Sequence, residues 1–295
     1  MTIRRAMHLM LALGVAVAVG LSSDLNGAQA VITAPPNKYK PSEDVEIGKK
    51  TSAEVEKQLP VLKNDRVTNA VATVGRRLVS QIPGELRHSE FRYSFKVVNV
   101  SDINAFALPG GPMYVNRGMI QAAASEGEMA GVMAHELSHV ALRHGTAQST
   151  KATKYEFGSI VGQIVGAIIG GRTGAVVSQG TQIGLGTAFM RFSRADEKQA
   201  DLLGSHIMAD AGYDPLEMAS MFRTIEEEGG NGGPEWLSDH PNPGNRSEYI
   251  TDEARTLNVR DAQGDPRAFA DLRSRLKSLP PAPTTAEVTK KNGRK

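Results

Sequence analysis

The sequence predicts an α+β fold in which helices dominate and a small sheet lies beside them. Three observations carry this: apolar residues at helical spacing over much of the chain, one switch to two-residue alternation between Phe91 and Val100, and a short apolar run from Met113 to Val115 after a glycine turn. With 295 residues, 40% of them hydrophobic and 22% charged, the chain can fill one sizeable core and carry appendages. A formal charge of +2, with no basic stripe beyond a short C-terminal cluster, argues against nucleic acid as a partner.

The N-terminus reads as a signal peptide over residues 1–30. Arg4 and Arg5 precede an apolar run of 15 residues from Met7 to Leu21, and Ala28 and Ala30 form a small-x-small cleavage pattern. The run is shorter than the about 20 residues that span a bilayer. The expected product is soluble and extracytoplasmic, most simply periplasmic, with an uncleaved N-terminal tether as the alternative. The chain has 0 cysteines, so neither a disulfide framework nor a lipid-modified cysteine is available. Residues 31–42 read as an extended lead-in, because Pro35, Pro36 and Pro41 oppose regular hydrogen bonding.

Residues 43–279 are expected to form the domain. A helix is expected from Glu43 to Gln58, and another from Asp65 to Ser80, where Val67, Val71, Val74 and Leu78 share a face. Phe91, Tyr93, Phe95 and Val97 alternate with polar residues as a strand does. "NAFALPGGPMYV" follows, interrupted by Pro109, Gly110 and Gly111. Its opening residues Asn104, Ala105 and Phe106 are the candidate edge at which an extended substrate pairs through its backbone.

The stretch "MAGVMAHELSHVALRHG" carries the chemistry. Ser125 can cap a helix and Glu128 can complete a capping box. Met129, Val132, Met133, Leu137, Val140 and Ala141 supply its apolar side, and Gly145 suits a left-handed stop. His135 and His139 are separated by about 400 degrees of helical rotation, which puts both imidazoles on nearly one face. Zinc suits two neutral imidazoles and a carboxylate with one position left for water. Glu136, adjacent to His135, can accept that water's proton without being a ligand. In "FSRADEKQAD", Glu197 and Asp201 share a helical face. Glu197 is read as the third ligand and Asp201 as the acceptor that orients a ligand histidine. His206 projects to the opposite side, and His144 is expected on the outer side of the motif helix.

Residues 158–190 are glycine-rich, with Arg172 as their one charge, and read as a helical hairpin packed over the groove, with a membrane-seeking plug as the alternative. A helix is expected from near Pro215, with Leu216, Met218 or Ala219, and Phe222 available for packing. "GGNGGPEW" reads as a loop whose Trp236 packs or receives a substrate side chain. In "DHPNPGNR", His240 has three readings: exposed loop residue, metal neighbour, or donor to the tetrahedral intermediate. Arg246 has two, steadying a carboxylate or a substrate carbonyl. A last helix is expected from Arg267 to Leu279, and residues 280–295 read as a disordered basic tail.

"NAFALPGGPMYV", "HELSH", "SRADEKQAD" and "DHPNPGNR", in this order from Asn104 to Arg246, make the chain resemble the M48 family of zinc metallopeptidases, particularly its soluble bacterial extracytoplasmic members. The resemblance implies a gluzincin-like core with a small mixed β-sheet, one zinc per chain and hydrolysis of peptide bonds within proteins. It implies His135, His139 and Glu197 as zinc ligands, Glu136 as general base and Asp201 in support. Similar members bring the histidine of the HP motif to the zinc, where it restrains activity, and hold the arginine six positions later at the active site. The implied roles are therefore a fourth zinc contact for His240 in a closed enzyme and an active-site role for Arg246. The implied partners are protein or peptide substrates, misfolded envelope proteins among them, with peripheral membrane contact open and oligomeric state unspecified. Two other classes fit the sequence: a chaperone-like or scaffold protein with a latent zinc site, and a non-peptidase zinc amidohydrolase or esterase.

Overall fold

Three short strands form one mixed sheet in the computed structural model, which describes residues 30, 32–151, 157–170, 192–228, 236, 240–242 and 244–293. The order is β1 (Ser94–Val98), β3 (Pro112–Asn116), β2 (Ala105–Ala107). β1 runs parallel to β3 with Phe95 opposite Met113, and β2 runs antiparallel with Phe106 opposite Tyr114. The outer side of β1 is partly closed, since the Leu62 amide donates to the Val97 carbonyl at 2.8 Å. β2 forms the other edge. Its turn into β3 needs a left-handed backbone at Gly110 (φ 77°), and a Cβ there would lie 2.6 Å from Val45 Cα. Glycine alone lets the turn sit on the first helix, α1 (Pro41–Gln58).

The main core surrounds α4 (Glu126–Ala141), in which every residue from Gly127 to Ala141 is buried. Against it lie α2 (Asp65–Ser80), α7 (Arg194–Asp210) and α8 (Pro215–Glu228), contributing among others Val71, Leu78, Ile207 and Phe222. Two glycines set how closely these helices cross. A Cβ on Gly131 would lie 2.7 Å from Met218 Cα, and one on Gly204 would lie 3.2 Å from the His135 amide nitrogen. Side chains on α7 are thereby brought within reach of the α4 histidines.

A second core joins α1 and the sheet to α6 (Phe157–Gly170), through Ile47, Val55, Phe106, Tyr114, Ile160 and Ile164. Each buried isoleucine contributes about 1.5–3 kcal/mol, which holds this apolar helix to the body. α6 is the first part of the glycine-rich hairpin expected at 158–190; the remainder from 171 lies outside the described residues. So do residues 1–29 of the expected signal peptide and residues 229–235, which were expected to form a loop. The other helices with bounds among the described residues are α3 (Arg117–Ala122), α5 (His144–Lys151), α9 (Arg246–Ala254), α10 (Pro266–Ser278) and α11 (Thr285–Asn292).

Several local expectations are corrected. Helix α4 stops with Arg143 in the left-handed region (φ 57°), while Gly145 lies inside α5. Arg143 tolerates that conformation because its guanidinium is clamped by Asp44 and the Tyr39 carbonyl. Half of the expected capping box forms: Ser125 Oγ accepts the Glu128 amide at 3.0 Å, but the Glu128 carboxylate accepts from the Ala124 amide at 2.7 Å. Leu216, expected to pack, is 42% exposed.

The tail expected to be disordered instead contains α11. Thr284 and Glu287 form a reciprocal capping box, Thr285 donates twice to Asp102 at 2.6 and 2.8 Å, and Val288 packs on the second core. Its polar composition hid this, because docking depends on partners far away in sequence.

Candidate active site

The two motif histidines stand one turn apart on α4 with their Nε2 atoms 3.1 Å from each other. Glu197 enters from α7, its Oε2 3.5 Å from His135 Nε2 and its Oε1 3.4 Å from His139 Nε2. His240 completes the group, with Nδ1 3.1 Å from both His135 Nε2 and Glu197 Oε1. All four residues are buried and their donor atoms lie within 4.8 Å of one another.

A tetrahedral ion bonded at about 2.0–2.1 Å spaces its ligand atoms by about 3.3 Å. The observed separations of 3.1–3.5 Å match that edge. Three imidazoles and one carboxylate are also the donor types that zinc takes, so the residues fit that ion.

Behind the ligand atoms runs an ion-paired layer. His135 Nδ1 donates to Asp201 Oδ1 at 2.8 Å, which directs its Nε2 lone pair inward. Arg246 donates to Asp201 Oδ2 and Glu197 Oε2, both at 2.7 Å, and the Tyr249 hydroxyl also donates to Asp201. Of the two partners expected for Arg246, the structure shows the carboxylate. The guanidinium lies 4.3 Å from the centre of the Phe222 ring and 5.2 Å from that of Trp236.

Burial pushes the Glu197 carboxyl upward, but His240 and His139 outweigh it and hold the group well below its usual range. Burial likewise raises Asp201, and Arg246 followed by His135 reverses the direction. His139 is lowered by burial. A lowered His139 and a lowered Glu197 are the directions that metal binding needs, since imidazole binds neutral and carboxylate ionised.

Glu136 lies beside the cluster, 2% exposed, with Oε1 3.1 Å from Trp236 Nε1 and 3.3 Å from His240 Nε2. Trp236 is fully buried, its ring centroid 4.9 Å from Phe222 and 4.6 Å from His240, both stacked. Of its two readings, packing is the one the structure shows. The donation to Glu136 was not legible in the sequence.

Two further neighbours escaped sequence reasoning. Phe192 stacks on His139 at 4.0 Å. His144, expected on the outer side, is buried with Nδ1 2.9 Å from His139 Nδ1. Burial, aided by His139, pushes its pKa down to about 3, so it is neutral. The outward expectation extended the helix rotation beyond Arg143, where the left-handed turn resets it; the recurrence of a histidine just past the motif was the available signal. His206 lies apart as expected, paired with Glu253 at 2.5 Å.

Asn104 immediately precedes the outer strand β2, which Ala105 and Phe106 open and which packs against α4. Ala107 at its end lines a narrow cleft with Pro109, His139, Val140, Ile164 and Phe192. Asn104, Ala105 and Phe106 themselves do not line that cleft; Ala107, next along the strand, does, together with His139.

The architecture and the His/Glu constellation define a class, and comparison agrees: residues 65–254 match peptidase family M48, and the chain belongs to that family. Its relatives include the Beta-barrel assembly-enhancing protease of Yersinia pestis, 27% identical over 192 residues, covering 63% of this chain and 39% of the relative. The protein of that name from Escherichia coli (strain K12) is 26% identical over the same length and coverage. Metalloendopeptidase OMA1, mitochondrial, from Bos taurus is 30% identical over 213 residues, covering 67% of this chain and 40% of the relative. The match thus spans about two-fifths of each relative's length. Among the described residues, no helix is long and apolar enough to cross a membrane.

Proposed function

We propose that this protein is a zinc-dependent endopeptidase that works outside the cytoplasm on protein substrates, misfolded envelope proteins among them. The observation that carries the reading is the convergence of His135, His139, Glu197 and His240 at the spacing of a tetrahedral site, with Glu136 alongside. The substrate class draws on family membership and on relatives named as proteases and a metalloendopeptidase.

His135, His139 and Glu197 would hold the ion, which when bound supplies Lewis acidity that makes water a better nucleophile and polarises the scissile carbonyl. Glu136 takes a proton from the attacking water and delivers it to the amine as the carbon–nitrogen bond breaks. Asp201 fixes the His135 ring, and Arg246 keeps both carboxylates ionised and in place. An extended substrate pairs with β2 through Asn104, Ala105 and Phe106. His240, the fourth contact of a closed resting state, contacts the ligand group and Glu136 together, so activity requires its side chain to withdraw.

The test compares zinc content and casein cleavage in the mature wild type, Glu136→Gln and His240→Ala. One zinc in each protein, cleavage lost in Glu136→Gln and raised in His240→Ala, is the expected pattern. Wild type without zinc, or equal cleavage by Glu136→Gln, would overturn it.

A further inference from the structure

We propose that the extended strap of residues 32–40 is part of the metal site, and that Gln199 and His144 are positioning residues which transmit its hold to His139. The inference rests on His139 being a metal ligand. For its Nε2 lone pair to face the other donors, His139 Nδ1 must carry the proton and donate to His144 Nδ1, 2.9 Å away. His144 must then be protonated on Nε2, which faces Gln199 Oε1 at 3.3 Å. That leaves the Gln199 amide nitrogen as donor, and it donates to the Thr33 carbonyl at 3.1 Å. Every proton in the series points from ligand to strap. The backbone carbonyl at its end can only accept, so it selects the productive tautomers of both histidines.

The strap holds this relay from a second side. Asn37 Nδ2 donates to Thr146 Oγ1 at 2.7 Å, and the Lys38 amide to Thr150 Oγ1 at 3.0 Å, which moors α5 immediately after His144. The Tyr39 carbonyl accepts from Arg143 Nη2 at 2.6 Å, fixing the turn that aims His144 inward. Asp196 lies farther from His144 Nε2, at 3.9 Å, and is bound to Ser193 at 2.6 Å. His139 therefore differs from His135: its ring is oriented by a neutral acceptor rather than a carboxylate.

Zinc affinity is measured by competition with a chromophoric chelator on the mature protein, on Gln199→Met, on Gln199→Glu, on a chain starting at Asn37, and on Gln199→Met in that shortened chain. The visible spectrum of the cobalt(II)-loaded forms reports ligand geometry independently of activity. Gln199→Met is expected to weaken zinc about tenfold, the lower end for loss of an orienting partner, and to alter the cobalt spectrum. Gln199→Glu, which still accepts from His144 but can no longer donate to the Thr33 carbonyl, is expected to weaken zinc as the shortened chain does. The shortened chain should weaken zinc too, and adding Gln199→Met to it should cost little more, because both break one path. Metal-free melting of Gln199→Met near that of the wild type shows that the fold is intact. Wild-type affinity and spectrum in Gln199→Met, or full additivity in the double variant, would overturn the relay. A wild type that binds no zinc would instead overturn the metal reading beneath it.

Discussion

Replacing Arg246 by methionine tests whether this arginine acts through carboxylates or through substrate. The side chain is 1% exposed, and it reaches two carboxylates whose side chains are 0% exposed, each at 2.7 Å. Removing one partner of a buried ion pair costs about 3–5 kcal/mol. Two hydrogen bonds to charged groups, at about 1.5–3 kcal/mol each, give a similar total. Methionine keeps much of the volume and an aromatic contact with Phe222 and Trp236, which limits any cavity. The metal-free variant is therefore expected to be about 3–5 kcal/mol less stable at pH 7, by urea unfolding in chelator. The sign with pH follows from Asp201 and Glu197, whose folded pKa values are depressed. Their stabilisation is complete above the unfolded values of about 3.9 and 4.3 and is lost as pH falls through the folded values. The gap between wild type and Arg246→Met should thus narrow below about pH 4. A deficit under about 1 kcal/mol at pH 7, set against that buried-pair cost, or one that does not change with acid, would refute the argument.

Trp236→Phe keeps the ring between Phe222 and His240 but removes the donor to Glu136. It is expected to cost about 1.5–3 kcal/mol in metal-free unfolding, the range for a hydrogen bond to a charged group, and unchanged stability would show that the contact carries no weight. Glu217 accepts from Ser125 at 2.5 Å, yet burial first, and then Asp214, Glu128 and Glu126, raise its pKa. Its ionised form is therefore a burden at neutral pH, and Glu217→Gln is expected to be more stable than wild type at pH 7. That gain should vanish below the ordinary glutamate value of about 4.3, where the carboxyl is protonated both folded and unfolded; a gain that persists at acid pH would contradict the assignment.

What the sequence alone determined was local. The 3.6-residue period and the serine cap placed α4 and set His135 and His139 on one face; likewise, Asp65–Ser80 formed with Val67, Val71, Val74 and Leu78 inward. Alternation around Phe95 and Val97 marked β1, and the proline-glycine turn marked the passage to β3. These features depend on a few neighbouring residues, so spacing exposes them.

Only the tertiary structure decided which distant groups meet. His240 lies 105 residues from His135, and Arg246 45 from Asp201, so no periodicity relates them. His144 turned inward because Arg143 adopts a left-handed backbone held by Asp44 and the strap, an arrangement that an arginine does not announce. The helix at Thr285–Asn292 exists through contacts to Asp102 and α6, which composition cannot show. Helix formation is settled within a turn or two. The facing of side chains across helices follows from how closely α4, α7 and α8 approach, and at Gly131 and Gly204 that approach depends on the absence of a Cβ.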